Sequence, residues 1–405
     1  MKKAWTLRYA LINISYFAGF CCVHAYASVY MLDAGFSNTL IGINLALANV
    51  LSVLLQPLVA GLIDKQGKLT NRNVSMASTL FIILGAVLLL CFKSSKILVF
   101  AVYAMIYMIQ MMYQPLMIAM NFEYSKAGCK IMFGLARGLG SAGFALTSVI
   151  IGNIMENRSV SVLMWAVIFI LSFSFILLAT FIKPQETVTP DGTPGKSEEE
   201  TKRAHNNLIA FVKEYPIFVV FLAGTVCFFF AHNMINDFLI QIIIPIGGNE
   251  AMMGTAIFIA AILELPTMAC IGILMKKFPC AMLLNISGVV FLIKIFTIYI
   301  ARGMSMVYIS EALQIGAYAV FIPASAYYVD LIMDDYDKVK GQALVNCAIT
   351  LAGVFSNLIC GRMLDSYGPK EMLLLGVIVT AVGVGITIIS TSAQMKEIKG
   401  EKKCC

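Results

Sequence analysis

The chain has 405 residues, of which 60% are hydrophobic and 13% charged, and its formal net charge is +7. Soluble domains are about half apolar and about one quarter charged, so this composition excludes a soluble multidomain protein. Apolar runs longer than about 18 residues recur along the chain and predict a polytopic helical membrane protein. A barrel is excluded because its strands are short and alternate in polarity.

The apolar runs and the breaks between them predict twelve membrane-spanning helices in two halves of six. In the first half they cover residues 7–31, 38–63, 74–92, 97–120, 132–153 and 161–182. In the second half they cover residues 217–245, 251–275, 282–300, 305–329, 341–363 and 372–391. The expected fold is therefore all-α, with two pseudo-symmetric six-helix bundles.

A polar segment rich in Pro, Gly and charge separates the sixth and seventh spans and predicts a flexible linker. The expected organisation is a bundle at 1–183, a linker at 184–215 and a second bundle with a short tail at 216–405. With twelve spans, both termini and the linker share one side. That side carries 22 of the 29 Lys and Arg residues, so the positive-inside rule places it in the cytoplasm of a multi-pass cell-membrane protein.

An internal repeat with an offset of 209 residues relates the halves. The sequence GNIME begins at Gly152 and GRMLD at Gly361, and each closes the fifth span of its half. Pro57 and Pro266 are related by the same offset. Duplicated six-helix halves are a common transporter architecture.

Two opposite charges are expected near the membrane midplane. Glu264 lies about 11 residues from the cytoplasmic end of the eighth span, and Lys294 about 12 residues into the antiparallel ninth span. At 1.5 Å per residue, both depths are about 17–18 Å, which predicts a Glu264–Lys294 ion pair. Such a pair either responds to protonation or only locks two helices together. Glu311 is expected near the outer end of the tenth span, as a gate or a rim charge.

Further polar residues in the spans are candidates for a solute site. Arg137 lies among small residues and presents a planar fork of donors, with Asn121 and Glu123 as expected partners; the alternative is an Arg that extends to the cytoplasm. Asn233, Asn236 and Asp237 share one face of the seventh span with His232. They suit solute hydroxyls or hydrogen bonds between helices. Weaker candidates are Gln314, His24 and Tyr26.

The sequence lacks the signals of other functional classes. It has no phosphate-binding GKS or GKT loop and no Ser-His-Asp or HExxH arrangement, so neither direct ATP drive nor an enzyme is expected. The eleven cysteines form no CxxC pair. We therefore expect no cofactor, no metal site and no nucleic-acid partner.

Several segments resemble the major facilitator superfamily and, within it, the oligosaccharide:proton symporters of the lactose permease group and the related nucleoside:proton symporters. QPLVAGLIDKQGK (56–68) resembles the loop signature after the second span, and FGLARGLGSAGFAL (133–146) resembles the fifth helix. The resemblance implies gate contacts by Asp64, Lys65 and Lys68. It also implies a sugar-contacting role for Arg137 and a coupling role for Glu264, with Lys294 at the position of the family's arginine.

The chain also departs from that group. Gln314 and Ala317 replace the His and Glu of its tenth helix, and Asn121, with Glu123 two residues later, replaces an acidic sugar ligand. Asn233 and Asn236 replace two aspartates, and Asp237 follows. Lactose is therefore not the expected solute, and the proton site does not transfer directly.

The function expected from this reading is proton-coupled import of a sugar, oligosaccharide or nucleoside by alternating access, driven by the proton gradient. The expected partners are a small polar solute, the proton and the lipid bilayer, and the family default is a monomer. Two alternatives stay open at this point. One is an exporter of amphipathic compounds, and the other is a nontransporting sensor with the same fold.

Overall fold

The computed structural model describes residues 5–66, 69–184, 208–334 and 336–404. This part of the chain contains twelve helices long and apolar enough to cross a membrane, which confirms the predicted number. Two of them begin at polar caps, since the Thr70 and Asn249 side chains accept hydrogen bonds from backbone N–H groups of the first turn. Side chains on the outer surface of the bundle, such as Ile97, Phe169 and Ile389, are apolar and exposed, as expected of a lipid-facing surface.

The helices of the first half begin with α1, which runs through Trp5–Phe20, a π turn at Cys21–Ala25 and Ala27–Asp33. The others are α2 (Asn38–Gln66), α3 (Asn71–Cys91), α4 (Lys96–Lys126), α5 (Phe133–Glu156) and α6 (Val162–Thr180).

The second half begins with α7, which runs through Pro216–Asp237 and Leu239–Ile243. It continues with α8 (Glu250–Lys277), α9 (Cys280–Tyr299), α10 (Met304–Ala312 and Tyr318–Ile332, joined by a 3-10 turn at Leu313–Ile315), α11 (Lys338–Ser366) and α12 (Pro369–Cys404). A short helix, Leu208–Glu214, precedes α7. The end of the predicted linker is therefore helical, and residues 185–207 of that linker lie outside the described residues.

Three of the predicted spans are interrupted rather than continuous. α1 contains a π turn at Cys21–Ala25, α7 breaks at Phe238, and α10 breaks at Leu313–Ile315. His24, Asp237 and Gln314 lie in or beside these breaks. π turns and short 3-10 segments within helices are frequent at functional sites because they redirect side chains and backbone groups.

The two halves meet along two helix pairs, α2 with α11 and α5 with α8. The pairs are closest at the distal end, which we define as the end of the bundle opposite the two termini. There, a Cβ on Gly361 would lie 2.5 Å from the Asn38 carbonyl oxygen, and a Cβ on Gly152 would lie 2.6 Å from the Glu250 carbonyl oxygen. Only glycine permits this approach, which explains the glycines of the sequence repeat.

At the terminal end, which carries both termini, α2, α5 and α8 leave open space around their glycines. A Cβ added to Gly61, Gly134, Gly138 or Gly272 would meet no atom within 4 Å. The fold is therefore closed at the distal end and open between the halves at the terminal end.

Candidate functional site

A cavity of about 400 Å³ lies between the two halves, below the distal closure. This volume is in the range of small-molecule sites. The polar side chains in its wall come from both halves, and several aromatic rings lie among them. The polar and charged residues lining it are His24, Asn49, Tyr107, Gln114, Arg137, Ser141, His232, Asn233, Asn236, Asp237, Glu264, Glu311, Gln314, Tyr318 and Thr350.

The charged centre of the second half is a chain of three contacts. Lys294 Nζ lies 3.0 Å from Glu311 Oε2 and donates to Gln314 Oε1 at 2.7 Å. Gln314 Nε2 in turn donates to Glu264 Oε1 at 2.9 Å. Because the Lys294 and Glu311 side chains are only 1% and 3% exposed, the ion pair is separated from water, whereas Glu264 is partly exposed to the cavity.

The predicted Glu264–Lys294 ion pair is therefore wrong. Glu311 contacts the Lys294 ammonium group directly, and the Gln314 amide lies between Lys294 and Glu264. Glu311 is buried rather than at a rim. Its spacing of three residues from Gln314 places both on one helix face, and this signal was present in the sequence.

Arg137 faces the cavity from the first half. Its guanidinium lies 4.0 Å from the centre of the Phe17 ring, and its Nη1 donates to Ser141 Oγ at 2.8 Å. A cation over an aromatic face is stabilised by the ring quadrupole, which holds the group in place without neutralising it. Across the cavity, Arg137 acts electrostatically on Glu264.

The expected partners of Arg137, Asn121 and Glu123, do not line the cavity. Asn121 is buried in the first half, and Glu123 contacts Asn71 at 3.1 Å and Lys183 at 3.8 Å. The α4 side chains that line the cavity are Tyr107, Met111 and Gln114. Gln114 lies seven residues, or about 10 Å, nearer the distal end than Asn121. Its polarity within a methionine-rich run was the available signal.

The seventh helix presents its polar face to the cavity. Asn236 Nδ2 and His232 Nε2 are 3.0 Å apart, and the Tyr318 ring stacks on His232 with centroids 5.1 Å apart. Asn233 approaches Gly353 of α11, where a Cβ would lie 3.1 Å from its Nδ2. Some hydrogen-bonding atoms of these side chains have partners within the second half, whereas His232 Nδ1 has no hydrogen-bond partner.

The two candidates in α1 have different surroundings. His24 lines the cavity, with its ring 3.8 Å from that of Phe20 and 3.7 Å from that of Tyr107, and its Nε2 has no hydrogen-bond partner. Tyr26 is fully buried and donates to the Ser148 carbonyl at 2.6 Å. Its predicted solute contact is therefore wrong, because its hydroxyl packs between α5 and α8 instead of reaching the cavity.

The predicted gate residues are only partly described. Asp64 and Lys65 lie in the last turns of α2, but their side chains are outside the described residues, as is Lys68 altogether. The contacts seen between the halves are instead at the distal end. Asp365 of α11 accepts hydrogen bonds from both the backbone and the side chains of Asn38 and Thr39.

Comparison with known proteins identifies the family. The model of the MFS_1 like family matches residues 6–392. An uncharacterised transporter of Bacillus subtilis (strain 168), YwbF, is 25% identical over 267 residues, which are 65% of this chain and 63% of the Bacillus protein. The aligned region thus spans less than two thirds of that relative's length.

Two solved structures show the same fold. A variant of the nucleoside transporter NupG superposes with a TM-score of 0.77 at 13% identity, over 97% of this chain and 99% of the other. A bacterial homologue of the human lysosomal transporter Spinster, in an inward-facing and unoccupied conformation, gives 0.69 at 12% identity, over 98% and 99%. With twelve spans, two packed halves and a cavity between them, the chain belongs to the MFS_1 like family of major facilitator transporters.

Proposed function

We propose that this transporter couples the entry of protons to the import of a small polyhydroxylated solute, a sugar, oligosaccharide or nucleoside. The observation that carries the proposal is that Arg137 of the first half and Glu264 of the second half line the same cavity. Alternating access requires a site of this kind, because rocking the halves exposes it first to one side and then to the other.

The polar wall suits hydroxyl groups. Arg137 and Gln114 offer donors from the first half, and Asn233 and Asn236 offer donors and acceptors from the second. The rings of His24, Tyr107 and Tyr318 give flat apolar faces between these groups. A sugar ring or a nucleoside base fits such faces, and the fold shared with NupG favours the nucleoside as the first solute to test.

Proton binding is assigned to Glu264. It is the carboxylate of the contact chain that is exposed to the cavity, and its negative charge is supported by the distant Lys294 and by Arg137. Protonation removes that charge and weakens the attraction across the cavity between Glu264 and Arg137. The halves then separate more easily at the terminal end, which couples the proton to the conformational change.

The orientation follows from the distribution of positive charge. With both termini on the cytoplasmic side of the cell membrane, the cavity opens toward the cytoplasm and the distal end faces the outside of the cell. In this orientation the proposed transporter is an inward-facing monomer. The gate contacts of Asp64, Lys65 and Lys68 stay part of the proposal: α2 ends at the terminal end, and we expect these residues to meet the other half when that end closes.

Transport in proteoliposomes tests the proposal. Purified protein is assayed for counterflow with labelled nucleosides, monosaccharides and disaccharides, and then for uptake driven by an imposed pH gradient. Glu264→Gln should abolish gradient-driven uptake and retain counterflow, because exchange of solute needs no net proton movement. As a matched control, Asp330→Asn removes a carboxylate that pairs with Lys338 at the terminal end and should leave both rates unchanged. Unaltered gradient-driven uptake in Glu264→Gln contradicts the proton assignment.

A further inference from the structure

We propose that Asp237 is the carboxylate of a binding site for a monovalent cation, either a sodium ion or the ammonium group of a transported solute. The site lies between the halves near the distal closure and is separate from the Lys294–Glu264 contact chain. This inference deepens the proposed transport function and rests on the central cavity, but it does not depend on proton binding by Glu264.

The charges around the cavity are unequal. Two cations, Arg137 and Lys294, face three carboxylates, Asp237, Glu264 and Glu311. Lys294 is paired with Glu311, and the acidic group on which Arg137 acts is Glu264. Among the ion pairs between described residues, none includes Asp237. A partly buried carboxylate without a countercharge is costly to desolvate, and a bound cation would supply that countercharge.

Neutral oxygen donors surround this carboxylate. The Asn357 amide of α11 lies beside it, is fully buried, and forms no hydrogen bond of good geometry through either its oxygen or its nitrogen. From the first half, Asn49 and Tyr107 line the same cavity as Asp237, and Asp237 acts electrostatically on the Tyr107 hydroxyl and on the Cys360 thiol of α11. Carboxylate, amide and hydroxyl oxygens are the ligands that hard cations prefer.

An ammonium group is served by the same arrangement. A carboxylate provides the countercharge, amide oxygens accept its N–H groups, and the Tyr107 ring supplies an aromatic face. The shared chemistry is therefore a single positive charge in a site built from α2, α4, α7 and α11. Because these helices belong to both halves, the bound cation would bridge them.

The position of Asp237 relates the site to the distal closure. The Ser28 hydroxyl of α1 donates to the Asp237 carbonyl, and Gln241, four residues later, donates to Asn38 Oδ1 at 3.1 Å. Helix α11 contributes both Asn357 and Asp365 to this region. A cation at Asp237 is thus expected to stabilise the closed distal end.

The test is direct binding to full-length protein in nanodiscs. Radiolabelled Na⁺ and radiolabelled methylammonium are each titrated at constant ionic strength with choline. We expect saturable binding of at least one of them to wild type, weakened tenfold or more in Asp237→Asn and retained in Asp237→Glu. Asn357→Ala should weaken it three- to tenfold. Saturation by Na⁺ alone identifies a metal-ion site, and saturation by methylammonium alone identifies an ammonium subsite.

The controls separate this inference from the proton assignment. Glu264→Gln should bind the cation as wild type does, even when its gradient-driven uptake is lost. The folding of each variant is checked by its thermal unfolding temperature and its gel-filtration profile. The proposal is overturned if neither cation binds wild type, if folded Asp237→Asn binds as tightly as wild type, or if Glu264→Gln and Asp237→Asn lose binding equally.

Discussion

Lys294 and Glu311 form a 3.0 Å ion pair in which both side chains are almost completely buried. Each charge is stabilised mainly by the other, since Ser310 reaches only the Lys294 carbonyl and Glu311 Oε1 has no hydrogen-bond partner. Breaking a buried pair on one side leaves an uncompensated charge and costs about 3–5 kcal/mol. The pair therefore supports the neighbouring Gln314 by holding the Lys294 ammonium group, which donates to the Gln314 amide, in a fixed position.

The first prediction concerns this support. Glu311→Gln should lower the thermal unfolding temperature in detergent and abolish uptake, because it leaves the Lys294 ammonium buried without a countercharge. The double variant Lys294→Met/Glu311→Leu should regain much of the stability, since it replaces the pair with apolar side chains. Its gradient-driven uptake should stay lost. An unfolding temperature of Glu311→Gln equal to that of wild type would show that the pair is not a support.

The second prediction concerns Gln314, which connects Lys294 to Glu264 through both ends of its amide. Gln314→Leu keeps the side-chain size but removes both hydrogen bonds, so Lys294 no longer influences the position of Glu264. Gradient-driven uptake should fall by about tenfold, which corresponds to about 1.4 kcal/mol, while solute counterflow falls less. Gln342→Leu is the matched control, because its amide bonds only the Ala326 carbonyl outside the cavity. Equal losses in both assays would assign Gln314 to solute binding instead.

These contacts show where sequence reasoning succeeded and where it stopped. The number of spans follows from apolar runs, because a bilayer sets their length and polarity. The depths of Glu264 and Lys294 follow from the rise of a helix. The identity of the lysine's partner does not. The three-residue spacing of Glu311 and Gln314 predicts that they share a helix face, but not that this face turns toward Lys294.

A similar limit applies to the first half. The sequence ARGLGSAG predicts that Arg137 lies among small residues, because close helix packing requires small side chains. The sequence does not predict whether Asn121 or Gln114 borders the cavity, because both lie on nearly the same face of α4, two helical turns apart. Only the position of the distal closure decides which of the two borders the cavity.

The third prediction tests Arg137. Lysine keeps the charge but loses the planar fork and the stacking on Phe17. Arg137→Lys should raise the half-saturating solute concentration in counterflow about tenfold, and Arg137→Ala should abolish counterflow. Arg8→Lys is the matched control, because Arg8 bonds the Thr180 carbonyl at 2.7 Å away from the cavity. If Arg137→Lys transports with wild-type affinity, the guanidinium acts only as a charge.

The fourth prediction concerns the distal closure, where Asp365 caps the first turn of α2 from the opposite half. Its Oδ1 accepts from the Asn38 backbone N–H at 3.1 Å and from Nδ2 at 2.9 Å, and its Oδ2 accepts from the Thr39 N–H at 2.7 Å and from Oγ1 at 2.6 Å. The pseudo-symmetric acid of the first half, Glu156, accepts one bond from Asn249 Nδ2 at 2.9 Å. The two acids end the repeated G-x-x-x-acid motifs, but Asp365 accepts four hydrogen bonds across the closure and Glu156 accepts one.

Asp365→Ala should therefore open the distal end more often than Glu156→Ala does. Loss of a helix cap costs roughly 0.5–2 kcal/mol, which shifts a two-state population by about 2- to 30-fold. Spin labels at Ser37→Cys and Tyr367→Cys, in a background without the native cysteines, report the distance between the halves by double electron–electron resonance. A longer-distance population should grow in Asp365→Ala and change less in Glu156→Ala. Equal populations in both variants would mean that the glycine contacts alone hold the distal end closed, and that the carboxylates only follow the helices that carry them.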